Sequence, residues 1–126
     1  MGPADQIAEI LTAVEQAWND GDAPAYARRF AADAVYVTRG AVVWEGRPAI
    51  EEAHAKAFAG SLAGTLLTLR PLHVNFPSET VAVAQVDVQL ASDEGVTRAV
   101  TTFVLSFDGA AWTIVAAHSS EVTSVH

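Results

Sequence analysis

Residues 80–122 read TVAVAQVDVQLASDEGVTRAVTTFVLSFDGAAWTIVAAHSSEV, and this segment decides the fold. It divides into three stretches rich in Val, Thr, Phe and Ile, at 80–92, 96–107 and 111–122. β-branched and aromatic residues favour strands, and the Asp-Glu-Gly and Asp-Gly sequences between the stretches favour tight turns. We therefore predict an antiparallel meander of three long strands.

The two turns also predict a register. Symmetric closure pairs Val88 with Ala99, Val86 with Thr101 and Ala84 with Phe103 across the first turn. It pairs Leu105 with Ile114, Phe103 with Ala116 and Thr101 with His118 across the second. Side chains alternate between the two faces of a sheet. One face, the predicted core, would carry Ala82, Ala84, Val86, Val88, Thr101, Phe103, Leu105, Trp112, Ile114, Ala116, His118 and Ser120. The outer face would carry Gln85, Asp87, Gln89, Arg98, Thr102, Thr113, Ser119 and Glu121. On that outer face we predict a charged network of Asp87, Arg98 and Glu121, either in solvent or in a dimer interface.

The preceding residues predict helices and a short hairpin. Apolar residues at three- and four-residue spacing predict a helix over 4–19, and Asp22 is a suitable N-cap for a short second helix that ends near Ala32. Residues 34–38 and 41–45 predict a small hairpin around Arg39 and Gly40. The sequence Gly-Arg-Pro at 46–48 opens a third helix, whose apolar stripe includes His54.

Residues 65–76 predict one more long strand, which Pro71 restricts to a sheet edge or a bulge. The order of elements indicates an α+β fold in a single domain over residues 1–126. We expect a strongly curved antiparallel sheet wrapped over three helices as a conical barrel. The open end of such a cone is the expected ligand site.

Composition excludes several classes of function. The chain has 126 residues, 51% of them hydrophobic, a formal net charge of −8 and no cysteine. The absence of cysteine rules out disulfides, a thiolate nucleophile and iron–sulfur ligation. An acidic chain with one lysine lacks the basic surface that nucleic acids or anionic membranes require. The start shows no basic region followed by an apolar core, so we expect a cytoplasmic protein.

Histidines and aromatic residues are the candidates for chemistry. His118, predicted on the core face, and His54 could act as general acid or base, and Tyr36 could assist them. The alternative for each histidine is a buried imidazole with a structural role. Two histidines without a third ligand make a poor metal site, so we predict no metal and no cofactor. The predicted ligand-binding residues are Trp44, Phe58, Thr101, Phe103 and Ser120.

Several short motifs resemble a known family over nearly the whole chain. They are 18–22 (WNDGD), 30–34 (FAADA), 46–50 (GRPAI), 108–109 (DG), 112–115 (WTIV) and 118–120 (HSS). Together they resemble the SnoaL-like branch of the nuclear transport factor 2-like superfamily, most closely the small SgcJ/EcaC-type proteins. Some of those proteins are encoded with enediyne polyketide biosynthesis.

The resemblance implies a conical α+β (cystatin-like) barrel, a homodimer through the outer sheet face, and a small apolar or aromatic ligand. The superfamily contains isomerases, dehydratases, cyclases and plain binding domains, so it does not imply one reaction. The catalytic residues of ketosteroid isomerases would fall on Val14, Thr38 and a position near Phe103, where none has the required chemistry. No glycine-rich dinucleotide loop supports an oxidoreductase.

Two hypotheses follow from the sequence. The first is a homodimer that binds an apolar or aromatic, polyketide-derived molecule and assists its cyclisation, dehydration or isomerisation. The second is a non-catalytic binding or dimerisation module, favoured by the lack of a carboxylate on the predicted inner sheet face. A cavity smaller than about 200 Å³ would favour the second, since ligand pockets usually measure about 300 to 1,000 Å³.

Overall fold

The computed structural model describes residues 2–122. In that range the chain forms three helices, α1 (Pro3–Asn19), α2 (Ala23–Ala27) and α3 (Arg47–Ala59). It also forms six strands: β1 (Phe30–Val37), β2 (Val43–Glu45), β3 (Leu66–Ser78), β4 (Val81–Ser92), β5 (Gly95–Phe107) and β6 (Trp112–Glu121). The order helix, helix, short hairpin, helix and four long strands matches the sequence prediction. The second helix is shorter than predicted, because residues 30–32 belong to β1 and not to α2.

The strands make one sheet in the order β2-β1-β6-β5-β4-β3. All neighbouring strands are antiparallel except β1 and β6, which pair in parallel. The helices cover the inner face of this curved sheet, and the core lies between the two layers. The predicted α+β class and the curved sheet over three helices are confirmed.

Helix α1 forms the largest part of the helical layer. Its six apolar residues at helical spacing are all buried: Ile7, Ile10, Leu11, Val14, Ala17 and Trp18. At its C-terminus Asn19 makes two hydrogen bonds to the backbone of Leu67 in β3, with its amide nitrogen 3.1 Å from the carbonyl oxygen and its amide oxygen 2.6 Å from the backbone nitrogen. Glu15 accepts a hydrogen bond from the Leu69 backbone N–H at 2.8 Å. These side chains satisfy backbone groups on an edge strand that no further strand covers within the described residues.

Strand β3 is an edge strand, as Pro71 predicts, and its pairing with β4 shifts between Pro71 and His73. The shift admits Leu72 as an extra residue, which is a β-bulge. Because of the bulge, Arg70 and His73 both pair with outer-face residues, Asp87 and Gln85. The sequence had not assigned a face to either of them.

The predicted register is right across the first turn and wrong beyond the start of the second. Leu105 pairs with Ile114, as predicted, but Val104 pairs with Ala116 and Thr101 with Ser119. Val115 is the extra residue of a bulge, so every later side chain of β6 changes face. His118 and Ser120 were predicted to face the core and instead lie exposed on the outer face. Conversely Ser119, predicted to lie outside, is buried opposite Thr101.

Candidate functional site

A cavity of about 210 Å³ lies between the inner face of the sheet and the helices. Its wall is mostly apolar and aromatic, from α1, α3 and the inner faces of β3, β4 and β5. Its polar lining within residues 2–122 consists of Tyr26, Tyr36, Thr38, Arg39, Trp44, His54, Thr97, Thr101, Ser119 and the indole of Trp18. No carboxylate of the described residues belongs to the lining. An uncharged apolar body with a small polar group fits such a wall.

His54 is the only imidazole of residues 2–122 that lines the cavity. It lies in the middle of α3 and is 2% exposed. Its Nδ1 is 2.7 Å from the carbonyl oxygen of Ile50, one turn earlier. A carbonyl can only accept, so Nδ1 carries the proton and Nε2 of the neutral ring has a free lone pair.

The second nitrogen of His54 is available to a ligand. Burial lowers the pKa of His54, and the hydrogen bond to Ile50 opposes that effect. The ring is therefore neutral at neutral pH. Among the described residues, every fully buried side-chain nitrogen or oxygen has a hydrogen-bond partner. Since Nε2 has no protein partner in residues 2–122, it borders the open space of the cavity.

Five aromatic rings surround His54. The ring centroid of Tyr26 is 4.2 Å from that of the imidazole, at an interplanar angle of 32°. The other four centroids lie 5.3 to 5.9 Å away and belong to Trp44, Trp18, Tyr36 and Phe58. Rings packed at these distances exclude water and hold the imidazole in one orientation. This packing is the reason that the neutral form of His54 is favoured.

Four of the hydroxyl groups in the cavity lining belong to Thr101, Ser119, Tyr26 and Tyr36. Thr101 Oγ1 and Ser119 Oγ are 2.8 Å apart on adjacent strands. Burial raises the pKa of Tyr26 well above its ordinary value, and the neighbouring Tyr36 raises it further. Burial also raises the pKa of Tyr36, against the opposing effect of the neighbouring Tyr26 and Ser119 hydroxyls and of the Arg39 charge. Both phenols are therefore protonated at neutral pH and can donate hydrogen bonds to a ligand oxygen.

Arg39 is the only residue with a full positive charge in the cavity lining of the described chain. It is exposed, so it lies where the cavity meets solvent. The turn that carries it is held by Thr38, whose backbone N–H donates to the Val42 carbonyl and whose hydroxyl accepts from the Val42 N–H, at 2.9 and 3.1 Å. The position of Arg39 therefore follows from an ordered turn between β1 and β2.

The structure brings together five of the residues predicted for the site. Tyr36, His54, Trp44, Thr101 and Phe103 all line the cavity.

Three other predicted site residues lie elsewhere. Phe58 packs edge-on against Trp18, with ring centroids 5.1 Å apart, and lines a separate groove instead of this cavity. His118 and Ser120 are on the opposite face of the sheet because of the bulge at Val115. The prediction that His118 faces the cavity is therefore wrong, and so is the same prediction for Ser120.

Sequence reasoning missed six polar or aromatic residues of the cavity: Trp18, Tyr26, Thr38, Arg39, Thr97 and Ser119. Trp18 and Tyr26 are buried residues of α1 and α2, and spacing alone does not separate a core ring from a cavity ring. Arg39 was recognised only as part of a turn. Ser119 was assigned to the wrong face, and no signal in the sequence marks the bulge that reverses it.

The outer face of the sheet carries a separate charged cluster. Asp87 is 3% exposed and accepts hydrogen bonds from Arg98 at 3.1 Å and Arg70 at 3.2 Å. The hydrogen bond from Arg98 holds the pKa of Asp87 below its usual range, although burial opposes it. Glu121, predicted to join this cluster, pairs with Ala99 and so belongs to the opposite face. That prediction is wrong, for the same reason as that for His118.

Two further features of the described residues bear on function. Residues 2–122 contain no group of three or more His, Cys, Asp or Glu side chains arranged to hold a metal ion. None of the helices in that part of the chain is long and apolar enough to cross a membrane.

Solved structures with this fold come from several bacteria. A domain of unknown function with a cystatin-like fold from Nostoc punctiforme has 20% sequence identity and a TM-score of 0.89, over 99% of this chain and 82% of its own. A protein of Shewanella oneidensis described as NTF-2 like has 21% identity and a TM-score of 0.86, over 94% of this chain and 99% of its own. A ketosteroid isomerase-like protein of Erwinia carotovora has 16% identity and a TM-score of 0.79, over 95% and 96%. At these identities the similarity shows the fold alone.

No curated protein matches the chain. A family model described as SnoaL-like domain matches residues 7–124, which include all of β1 to β6 and the cavity. The chain therefore belongs to the SnoaL-like domain family.

Proposed function

We propose that the protein binds a small apolar or aromatic molecule in the cavity and assists its isomerisation, dehydration or cyclisation by moving a proton at His54. The observation that carries this proposal is the neutral His54 in an aromatic enclosure, with Nδ1 bound to Ile50 and Nε2 open to the cavity. A proton acceptor and two protonated phenols share one small apolar space.

The chemistry needs only these groups. Nε2 of His54 accepts a proton from a carbon next to a substrate carbonyl, and the C–H electron pair moves into the enolate that forms. The hydroxyl of Tyr36 or Tyr26 donates a hydrogen bond to the enolate oxygen, which stabilises the developing charge. The imidazolium then returns the proton to another atom of the substrate. General acid–base catalysis of this kind contributes about 10² to 10⁴ in rate.

The proposed substrate is a polyketide-derived molecule from natural-product biosynthesis. The resemblance to SgcJ/EcaC-type proteins supports this proposal, because some of those proteins are encoded with enediyne polyketide biosynthesis. The volume of the cavity limits the size of the ligand. An apolar cavity of about 150 Å³ holds a benzene ring, so 210 Å³ accommodates one ring with its substituents. A larger polyketide would place one ring inside and extend the rest through the opening beside Arg39.

Deuterium exchange tests this proposal without knowledge of the complete reaction. Aromatic ketones and polyketides that raise the melting temperature of the protein would be incubated with it in D₂O, and loss of the α-proton signal followed by NMR. We expect exchange with wild type and at least about a hundredfold slower exchange with His54→Phe. His118→Gln is the matched control, because it removes an imidazole from the outer face.

The outcomes separate catalysis from binding. Exchange that persists in His54→Phe would show that another group is the base. Binding without any exchange in wild type would favour the second candidate function, a non-catalytic ligand-binding module. The observation that favours this alternative is the size of the cavity, because 210 Å³ lies below the usual range of about 300 to 1,000 Å³ for ligand pockets. The cavity does not fall below the stricter limit of about 200 Å³ given above.

We also propose that the protein is a homodimer through the outer face of the sheet. Val83 and Val104 are half-buried there and pair across β4 and β5, and the half-buried Val100 lies on the same face opposite Asp87. Beside them, Asp87 is buried between two arginines. An apolar centre with paired charges around it is the pattern of a protein interface.

A further inference from the structure

We infer that the ligand is a carboxylate whose acid group pairs with Arg39 at the opening while its ring occupies the aromatic part of the cavity. This inference rests on the proposed function, since it names the substrate class of the same site. It adds an anionic end to a molecule that the family and the apolar wall by themselves describe as neutral.

The charge balance of the cavity supports an anion. Arg39 is the only side chain with a full charge in the lining, and no described carboxylate lines the cavity to neutralise it. The ion pairs of residues 2–122 use Lys56, Arg70 and Arg98 as their cations, so Arg39 forms none with a described side chain. Its guanidinium is therefore available, and a guanidinium binds a carboxylate through two parallel hydrogen bonds.

The polarity of the cavity orients such a ligand. Arg39 lies at the exposed end, whereas His54 is 2% exposed and enclosed by rings. A carboxylate placed near His54 would lose its hydration with no cation beside it, which is costly. At Arg39 it keeps partial contact with water and gains a charge-assisted hydrogen bond. The apolar part of the molecule then points inward, toward the imidazole and the two tyrosine hydroxyls.

The size of the cavity limits the ligand further. A space of about 210 Å³ fits one ring and a short side chain. The class we propose is therefore monocyclic carboxylic acids, with benzoate, phenylacetate and cinnamate as probes. The matched neutral molecules are their primary amides, which keep the shape and lose the charge.

Isothermal titration calorimetry of wild type, Arg39→Gln and Arg28→Gln with each acid and its amide tests the inference. Arg28 is exposed and lies outside the cavity lining, so Arg28→Gln makes the same change in net charge. We expect wild type and Arg28→Gln to bind an acid at least about tenfold more tightly than its amide. Arg39→Gln should lose that preference, and added salt should weaken acid binding to wild type, because the pair is partly exposed.

Each result distinguishes this inference from the proposed function. Equal affinity for acid and amide in wild type, or an acid preference retained in Arg39→Gln, would overturn the role of Arg39 and leave the cavity as an apolar ligand site. Acid binding that depends on Arg39, in a protein that shows no His54-dependent deuterium exchange, would support the anion site and contradict the proposed proton transfer. If no probe of either kind binds wild type, the inference fails, and the deuterium-exchange experiment still decides the proposed function.

Discussion

The replacement His54→Phe should remove an acid-dependent loss of stability that the wild-type protein shows. In the folded protein His54 is 2% exposed, and burial lowers its pKa from the ordinary value of 6.5. In the unfolded chain the imidazole titrates near pH 6.5. Below that pH the unfolded state therefore binds a proton that the folded state does not bind. The free energy of unfolding must fall as the pH falls.

The size of this loss in the free energy of unfolding follows from the uptake of one proton on unfolding. The free energy of unfolding changes by at most about 1.4 kcal/mol per pH unit for one proton taken up on unfolding. For His54 this loss begins as the pH drops through about 6.5 and ends below the folded-state pKa. Phenylalanine has no titratable nitrogen, so the contribution disappears. Other titrating groups are the same in both proteins and cancel in the difference.

Phenylalanine is chosen because it preserves the packing. It fills the enclosure of five rings around position 54, whereas alanine would leave a hole and cost about 2 to 5 kcal/mol by analogy with other large-to-small core changes. The lost Nδ1–H leaves no orphan, because the Ile50 carbonyl still accepts the backbone N–H of residue 54 within α3. We therefore expect His54→Phe to fold at neutral pH.

Urea denaturation at several pH values from about 5 to 8 measures the effect. The difference in the free energy of unfolding between His54→Phe and wild type should grow as the pH is lowered, in favour of the variant. His118→Gln, which retains His54, should keep the wild-type pH dependence that His54 produces. If the free energy of unfolding has the same pH dependence in wild type and His54→Phe, the assignment of His54 as a buried neutral base is refuted. A nitrogen NMR spectrum showing Nε2 protonated in neutral wild type would refute the tautomer.

Two further predictions concern the edge and the outer face of the sheet. Asn19→Ala removes two hydrogen bonds to the Leu67 backbone, so we expect a loss of about 1 to 3 kcal/mol in the free energy of unfolding by urea denaturation. Asn75→Ala, at an exposed position of the same strand, should cost less, and equal losses would contradict a capping role for Asn19. Val100→Glu puts a charge at the centre of the outer face and should convert the proposed dimer to a monomer in analytical ultracentrifugation. If wild type is itself a monomer, or if the variant remains a dimer, that interface is refuted.

Local patterns in the sequence were sufficient for the elements and their order. Helix α1 follows from apolar residues at helical spacing, and the edge position of β3 follows from Pro71. Alternation of side chains predicts the register of β4 and β5 correctly, from Val88 opposite Ala99 to Ala84 opposite Phe103. These features depend on neighbours in the chain or on one tight turn, so short-range rules describe them.

The composition of the site depended on contacts that short-range rules do not contain. One extra residue at Val115 reverses the faces of the last part of β6, and it brings Ser119 into the cavity in place of His118. That bulge occurs in a strand that also pairs in parallel with β1, a long-range contact that the meander alone does not predict. The cavity itself joins Tyr26, Arg39 and His54 from three separate segments. The sequence by itself determined which elements form and in what order, because their signals are local. Only the tertiary structure decided which histidine meets the cavity, because a face is set by pairing between distant strands.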